Sequence, residues 1–461
     1  MLIMMRRSLL PLLFALVFGA TPAWAGAPLL AQTPPMGWNS WDSYGLTIDE
    51  AQYRANARAL ASLKKYGWSY AVIDMGWYMA NPAGDTRVTR DFQIDGNGLL
   101  VPSLNRFPSA RGGGGFRPLS DWVHGLGLKF GFHIMRGIPR GAVDRNLPIA
   151  GSSFHAADAA DRSDVCGWDD GNYGVRDNAA GQAYYDSMMR LYSKWGVDFL
   201  KVDCIADHPY KPDEIRMIAT AIRNSGRPIV LSLSPGPTHL DHASEISRYA
   251  QMWRISNDIW DGWDFPYNPQ TDGYPSGVDT AFDNLAKWNP FVRPGAWPDA
   301  DMLPFGMLMP HPGMGEPRKT RLSPEEQRSQ FTLWAIARSP LILGANLTQL
   351  DAFTRRLITN RDIIAINQEA WESHPVADLA PGMEHIRVWE ASAGPRAKPT
   401  RYFALFNLDG TPDDVTVTWR QLGIGGNHSA LELWSRAKSP AGRSLRANLQ
   451  AHGTAVYEIG D

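Results

Sequence analysis

The sequence predicts an α/β protein: a (β/α)8 (TIM) barrel over residues 31–370, followed by a C-terminal antiparallel β-sandwich over 375–461. Eight short β-type runs alternate with helix-like segments across about 300 residues, which suits a closed barrel better than an open doubly wound sheet. Seven residues at or near the ends of those runs are polar or charged (Asn39, Asp74, His133, Asp203, Ser234, Asp258 and Asp301), and barrel active sites lie at the C-terminal ends of the strands. After about residue 370 the pattern changes to period-two alternation broken by turn residues.

Taken in order, residues 1–25 read as a secretory signal peptide. Arg6 and Arg7 precede the apolar run "SLLPLLFALVFGA", and "AWA" at 23–25 has the small-x-small form of a cleavage site. An uncleaved anchor is the alternative, but the run is short for a membrane span. The chain is therefore expected to be exported, periplasmic or secreted, and soluble once cleaved.

The eight candidate strands are "MGWNSW" (36–41), "YAVIDMGW" (70–77), "KFGFHIM" (129–135), "FLKVDC" (199–204), "PIVLSLS" (228–234), "QMWRISND" (251–258), "AWPDADML" (296–303) and "PLILGAN" (340–346). Helix-like stretches at 49–65, 181–195, 212–224 and 325–337 separate them, the first stopping at Gly67, a plausible C-cap. The stretch 78–116 reads as an extended loop over the barrel mouth. Its "RGGGGF" is not a phosphate loop, because no Gly-Lys-Ser/Thr follows. The sandwich strands are "HIRVWEAS", "RYFALFNLD", "DDVTVTWRQLG", "ALELWS" and "TAVYEIG".

Composition narrows the function. A formal charge of −2, about −4 without the two signal arginines, and the lack of a basic block argue against a nucleic-acid partner. Eighteen tryptophans are many, and beyond filling the core, tryptophan lines sugar sites by stacking on a pyranose face. No CxxC or HExxH is present, so metal-ligand spacing is absent. The two cysteines, Cys166 and Cys204, favour one disulfide in an exported chain, with two buried thiols as the alternative.

Chemistry concentrates at two strand ends. Lys201 and Asp203 are two apart and share a face, which makes them either a structural ion pair or working groups. Asp258 shares a face with Ser256 and Arg254. Inward residues of alternate strands lie in one layer, so Asp203 and Asp258 can face each other across the mouth. Two opposed carboxyls in an aromatic cleft are the equipment of glycoside hydrolysis. Lys201 would keep Asp203 ionised. Trp253 and Trp260 would favour a protonated Asp258, and Arg254 would oppose it, so residue chemistry alone leaves the roles open.

These segments resemble glycoside hydrolase family 27, the family of α-galactosidases and α-N-acetylgalactosaminidases. The resemblance runs from "TPPMGWNSWDSYG" through "VIDMGWY", "GVDFLKVDC", "WRISNDIWDGW" and "WPDADML" to "WAIARSPLILGANL" and "DIIAINQE", about residues 33–370. It implies a retaining, cofactor-free hydrolase of terminal α-galactosides, with a carbohydrate substrate. Asp203 matches the family nucleophile and Lys201 a sugar-binding lysine. Asp258 matches the acid/base and Arg254 a substrate ligand. Trp38 matches the aromatic wall of the sugar pocket, Asp74 the first of two adjacent pocket aspartates, and Asp301 a pocket-floor residue. His133 falls where many members have tyrosine. The resemblance also implies a Cys166–Cys204 bridge, although the family cysteine usually sits two places after the nucleophile rather than one.

The departures fall on sugar recognition. Where the family commonly reads Ile-Asp-Asp-Cys-Trp, this chain has Met75 after Asp74, and Ser234-Pro235 stands where a Cys-Glu or Cys-Ser usually meets the C2 substituent. Other α-glycosidases, a β-L-arabinopyranosidase and a catalytically silent sugar-binding protein are the competing readings. A metal-dependent hydrolase built on Asp299 and Asp301 would need histidine ligands that the neighbouring sequence lacks.

Overall fold

A computed structural model describes residues 29–82, 92–309, 316–376, 379 and 381–460. The signal-peptide expectation for residues 1–25 lies outside them. Eight parallel strands form one sheet: β1 (Met36–Asn39), β2 (Tyr70–Ile73), β3 (Lys129–Met135), β4 (Phe199–Asp203), β5 (Val230–Leu233), β6 (Met252–Arg254), β7 (Trp297–Asp299) and β8 (Leu341–Leu343). Their spatial order is β7-β6-β5-β4-β3-β2-β1-β8. Leu303, four residues past β7, bridges Leu343 of β8 and brings the two ends of the sheet together.

The helices between them are locally well specified. α1 (Trp41–Tyr44) is a single turn. α2 (Glu50–Leu63) starts on a capping box in which Asp49 and Gln52 satisfy each other's backbone N–H groups, and its last turn ends at Gly67 with φ +106°, which favours glycine. α3 (Arg117–Gly125), α4 (Ala179–Trp195), α5 (Pro212–Ser225), α6 (Ala243–Tyr249), α7 (Val278–Trp288), α8 (Pro324–Ile336) and α9 (Arg361–Glu369) follow. Gly37 leaves room for the β2 backbone, since a Cβ there would lie 2.4 Å from the Tyr70 carbonyl oxygen.

The described part of 78–116 is pinned rather than loose. The buried Arg106 guanidinium donates to the carbonyls of Gly76, Met79, Leu46 and Ile48. Between β3 and α4 an excursion carries three antiparallel strands, Ile138–Pro139, Ala160–Val165 and Asn172–Val175, with Cys166 between the last two.

Strand alternation decides what the barrel holds. An apolar cluster of Tyr70, Val72, Phe199, Val230, Met252, Trp297 and Ile342 comes from every second position of six strands and marks the inward face. Stepping two residues on from its members reaches Asp74, Lys201, Ser232 and Arg254, then Asp203 and Ser234, with Asp299 beside Arg254 in register. The interior is therefore greasy at its base and charged at its top.

The sandwich begins at β9 (Glu372–Pro375) and continues through β10 (Ile386–Ala393), β11 (Thr400–Asn407), β12 (Asp413–Thr418), β13 (His428–Glu432), β14 (Lys438–Gly442), β15 (Ser444–Leu449) and β16 (Thr454–Gly460). Six strands form one sheet, in order β9-β10-β11-β16-β13-β14, and β12 pairs with β15. Trp389, Phe406, Leu433 and Val456 of this region belong to the same buried cluster as the barrel's helices. His452 stacks on Trp263 at 4.3 Å and pairs with Glu326 of α8 at 2.7 Å, while Phe406 meets Phe282 of α7 edge-on.

Candidate active site

The charged layer gathers most of the residues the sequence singled out. Lys201 Nζ lies 2.9 Å from Asp74 Oδ2, so its ion-pair partner is Asp74 on β2's end rather than its strand neighbour Asp203. Asn39 also donates to that Asp74 oxygen at 2.7 Å, and Ser40 Oγ accepts the Asp74 backbone N–H. Burial alone would raise the Asp74 carboxyl, but Lys201, His133, the Met75 N–H and Asn39 hold it far below the usual carboxylate range. Burial would likewise strip Lys201 of its proton, yet Asp74 and Asp203 hold it charged, above its ordinary value.

Asp203 has a partner on each oxygen. His133 Nε2, in register beside Lys201, lies 3.1 Å from Oδ2, and the Cys204 N–H donates to Oδ1 at 2.5 Å. Burial pushes its pKa up, and the hydrogen bond and charge of His133, Lys201 and the Cys204 N–H outweigh that, leaving it below the usual value. Behind it, Arg136 donates to the Cys204 carbonyl at 2.6 Å and pairs with Asp164 and Glu214, fixing the 203–204 backbone. The Cys166–Cys204 disulfide is present, with Cα atoms 6.1 Å apart, and ties the excursion to this strand end.

On the far side, Arg254 joins two carboxyls: Nη2 is 3.1 Å from Asp258 and Nη1 is 2.9 Å from Asp301. Asp258 is the more open of the two, its side chain 32% exposed against 4%. The second oxygen of Asp301 accepts the Ile259 N–H at 2.7 Å, so Asp301 holds both Arg254 and the segment next to Asp258. Burial and the charges of Asp258 and Asp299, against the pull of Arg254, push Asp301 up to about 7. Ser234 sits at the end of β5, buried, its hydroxyl without a partner among the described residues.

Trp38 is placed elsewhere. It pairs in register with Ala71, on the opposite face from Asn39 and Val72, and packs in the outer core against Tyr44 and Tyr53 with its indole N–H on the Ala345 carbonyl. With no exposed surface it offers no face to a sugar, and the expectation of a pocket wall at this position is corrected. Trp253 also faces outward, onto Trp288. Trp41, at the start of α1, is the partly exposed tryptophan at this rim. The inward residue of β1 is Asn39, already marked as a strand-end polar residue. Arg136 and Asp42 went unread because a lone charge in a loop or short helix carries no periodic signal.

Two family models match the chain: "Alpha galactosidase A" over residues 168–369 and "Alpha galactosidase C-terminal beta sandwich domain" over 387–459. A crystal structure of a family 27 β-L-arabinopyranosidase from Geobacillus stearothermophilus is 39% identical, with a TM-score of 0.85 over 94% of this chain and 97% of that one. The chain belongs to glycoside hydrolase family 27. Alpha-galactosidase 2 of Arabidopsis thaliana is 27% identical over 436 residues, 93% of this family 27 chain and 90% of the relative. Alpha-galactosidase I from Mortierella vinacea is 25% identical, with a TM-score of 0.70 over 94% and 98% of the two chains. The family 27 protein is a glycoside hydrolase.

Proposed function

We propose that this hydrolase is an exo-acting, retaining glycosidase that releases terminal α-linked galactose from oligo- or polysaccharides. The observation that carries the reading is Asp203: a carboxylate held ionised on both oxygens at a strand end, in the same charged layer as the more open Asp258. Asp203 attacks the anomeric carbon while Asp258 gives its proton to the departing glycosidic oxygen, leaving a glycosyl ester on Asp203. Asp258 then takes a proton from water as that water cleaves the ester, so the configuration is retained. The Asp74–Lys201 pair and Arg254 supply charge-assisted hydrogen bonds to ring hydroxyls. The expected signal peptide and the disulfide, a bond of oxidising compartments, support action outside the cytoplasm.

A second reading is favoured by Met75. It is buried beside Asp74 and donates its backbone N–H to that carboxylate, but its thioether is a poor hydrogen-bond acceptor for a C6 hydroxyl. β-L-Arabinopyranose is the galacto-configured sugar without C6, and the family 27 β-L-arabinopyranosidase is the relative at 39% identity. A panel of nitrophenyl α-galactoside, β-L-arabinopyranoside, α-N-acetylgalactosaminide and α-glucoside decides. The α-galactoside with the highest kcat/KM supports the first reading, the arabinopyranoside the second, and activity only on the α-glucoside removes both.

A further inference from the structure

Asp42, the second residue of α1, carries a buried carboxyl that the reaction described above does not use. It is 2% exposed, its Oδ2 is sealed from solvent, and no described residue hydrogen-bonds that oxygen. Three strand ends surround it. Asn39 and Ser40, just before it, both hold Asp74 at the end of β2. Gly344, just past β8, makes room for it, since a Cβ there would lie 1.8 Å from Asp42 Oδ2.

Buried polar atoms are almost always satisfied, and leaving one unpaired is costly. A partner that arrives with the substrate accounts for this one. We propose that Asp42 is a specificity-determining sugar ligand that hydrogen-bonds a hydroxyl on the C4–C6 edge of the bound pyranose, beside Asp74. The assignment rests on the galacto-configured reading of the site. Burial, then Asp301, Asp258 and Asp74, keep the Asp42 carboxyl well above its usual range against the pull of Lys201. A neutral acid offers one O–H donor and one carbonyl acceptor, which suits a hydroxyl that must both accept and donate. In this arrangement the second carboxyl of the sugar site comes from α1, just after β1, where Met75 provides none after β2.

The test compares Asp42→Ala and Asp42→Asn on the best glycoside of the panel, whichever sugar that is, and on its 4-deoxy and, where C6 exists, 6-deoxy analogues. Asp42→Ala is expected to lose roughly ten- to hundredfold in kcat/KM on the parent glycoside and almost nothing on one deoxy analogue. Asp42→Asn, which keeps a donor and an acceptor, should retain most of the activity. An equal loss on the parent and both analogues would overturn the proposal. If Asp42→Ala does not fold, a crystal of the wild-type enzyme soaked with the product sugar answers instead. A carboxyl within about 3.2 Å of a C4–C6 hydroxyl supports the assignment, and one beyond about 4 Å ends it. The panel tests the galacto reading separately: a best substrate of another configuration sinks that reading even if Asp42 touches its sugar.

Discussion

His133 Nε2 stands 3.1 Å from Asp203 Oδ2, on adjacent parallel strands and in a site only 1% exposed at the histidine. Because the ionised carboxylate only accepts, the proton of that bond sits on Nε2. His133→Phe removes a hydrogen bond to a charged group, on the order of 1.5–3 kcal/mol, so kcat/KM should fall roughly ten- to hundredfold. The Asp203 pKa is lowered in part by this donor, so the acid limb of the pH profile should move to higher pH in the variant. His133→Gln, which can still donate, should recover part of the loss. An acid limb that stays in place would show that His133 does not hold the nucleophile's charge.

Asp203→Asn should abolish turnover on every substrate, since an amide cannot form the glycosyl ester. Asp258→Asn should spare glycosides with excellent leaving groups, which need little protonation. NMR of the first-formed product of the wild-type enzyme should show the anomeric configuration retained, and an inverted product would be incompatible with Asp203 as nucleophile.

Met75→Asp places a second carboxylate beside Asp74. If α-galactosides are the true substrates, their kcat/KM should hold or rise. A loss on the best natural glycan, with α-galactosides still poor, would favour a sugar without C6.

The Cys166–Cys204 bridge closes a separation of 38 residues, so its removal should cost on the order of 3–4 kcal/mol on the loop-entropy model. Cys166→Ser/Cys204→Ser should melt clearly below the wild type in a calorimetric scan. The unfolded, unreduced protein should show no free thiol, and a titre of two would refute the bridge.

Asp301 gives a pH dependence of opposite sign to a carboxylate whose pKa an ion pair lowers, because burial dominates here. The folded state holds its proton up to about 7, whereas the unfolded chain releases it near 4. Its contribution to stability is therefore full below about pH 4 and lost as the pH rises towards 7. Asp301→Asn should flatten the change in Tm across this window. Identical pH dependence in the two proteins would place the titration elsewhere.

The eight barrel strands were legible because each is a short apolar run with a polar end, and Asp74, Lys201, Asp203 and Arg254 follow once alternation fixes which face turns inward. Trp38 was misread for the same reason: a motif match fixes a position along the chain, but only the register with Ala71 shows that its face is outward. The pairing of Lys201 with Asp74 was invisible, since it crosses strands that are 127 residues apart in sequence. Asp42 is legible only when Gly344, from the other end of the barrel, is set beside it.

The stacking of His452 on Trp263 reaches past architecture. Trp263 lies five residues beyond Asp258, on the segment whose Trp260 and Gly262 backbone groups bond Ser276 and Val278. The C-terminal sheet thus braces the segment that follows the proposed proton donor, through one imidazole that Glu326 also holds. Such a catalytic unit does not travel alone. Recombination that exchanged the last 90 or so residues for another sheet would have to preserve this one stacking contact, or else relax the geometry of proton transfer more than 190 residues upstream.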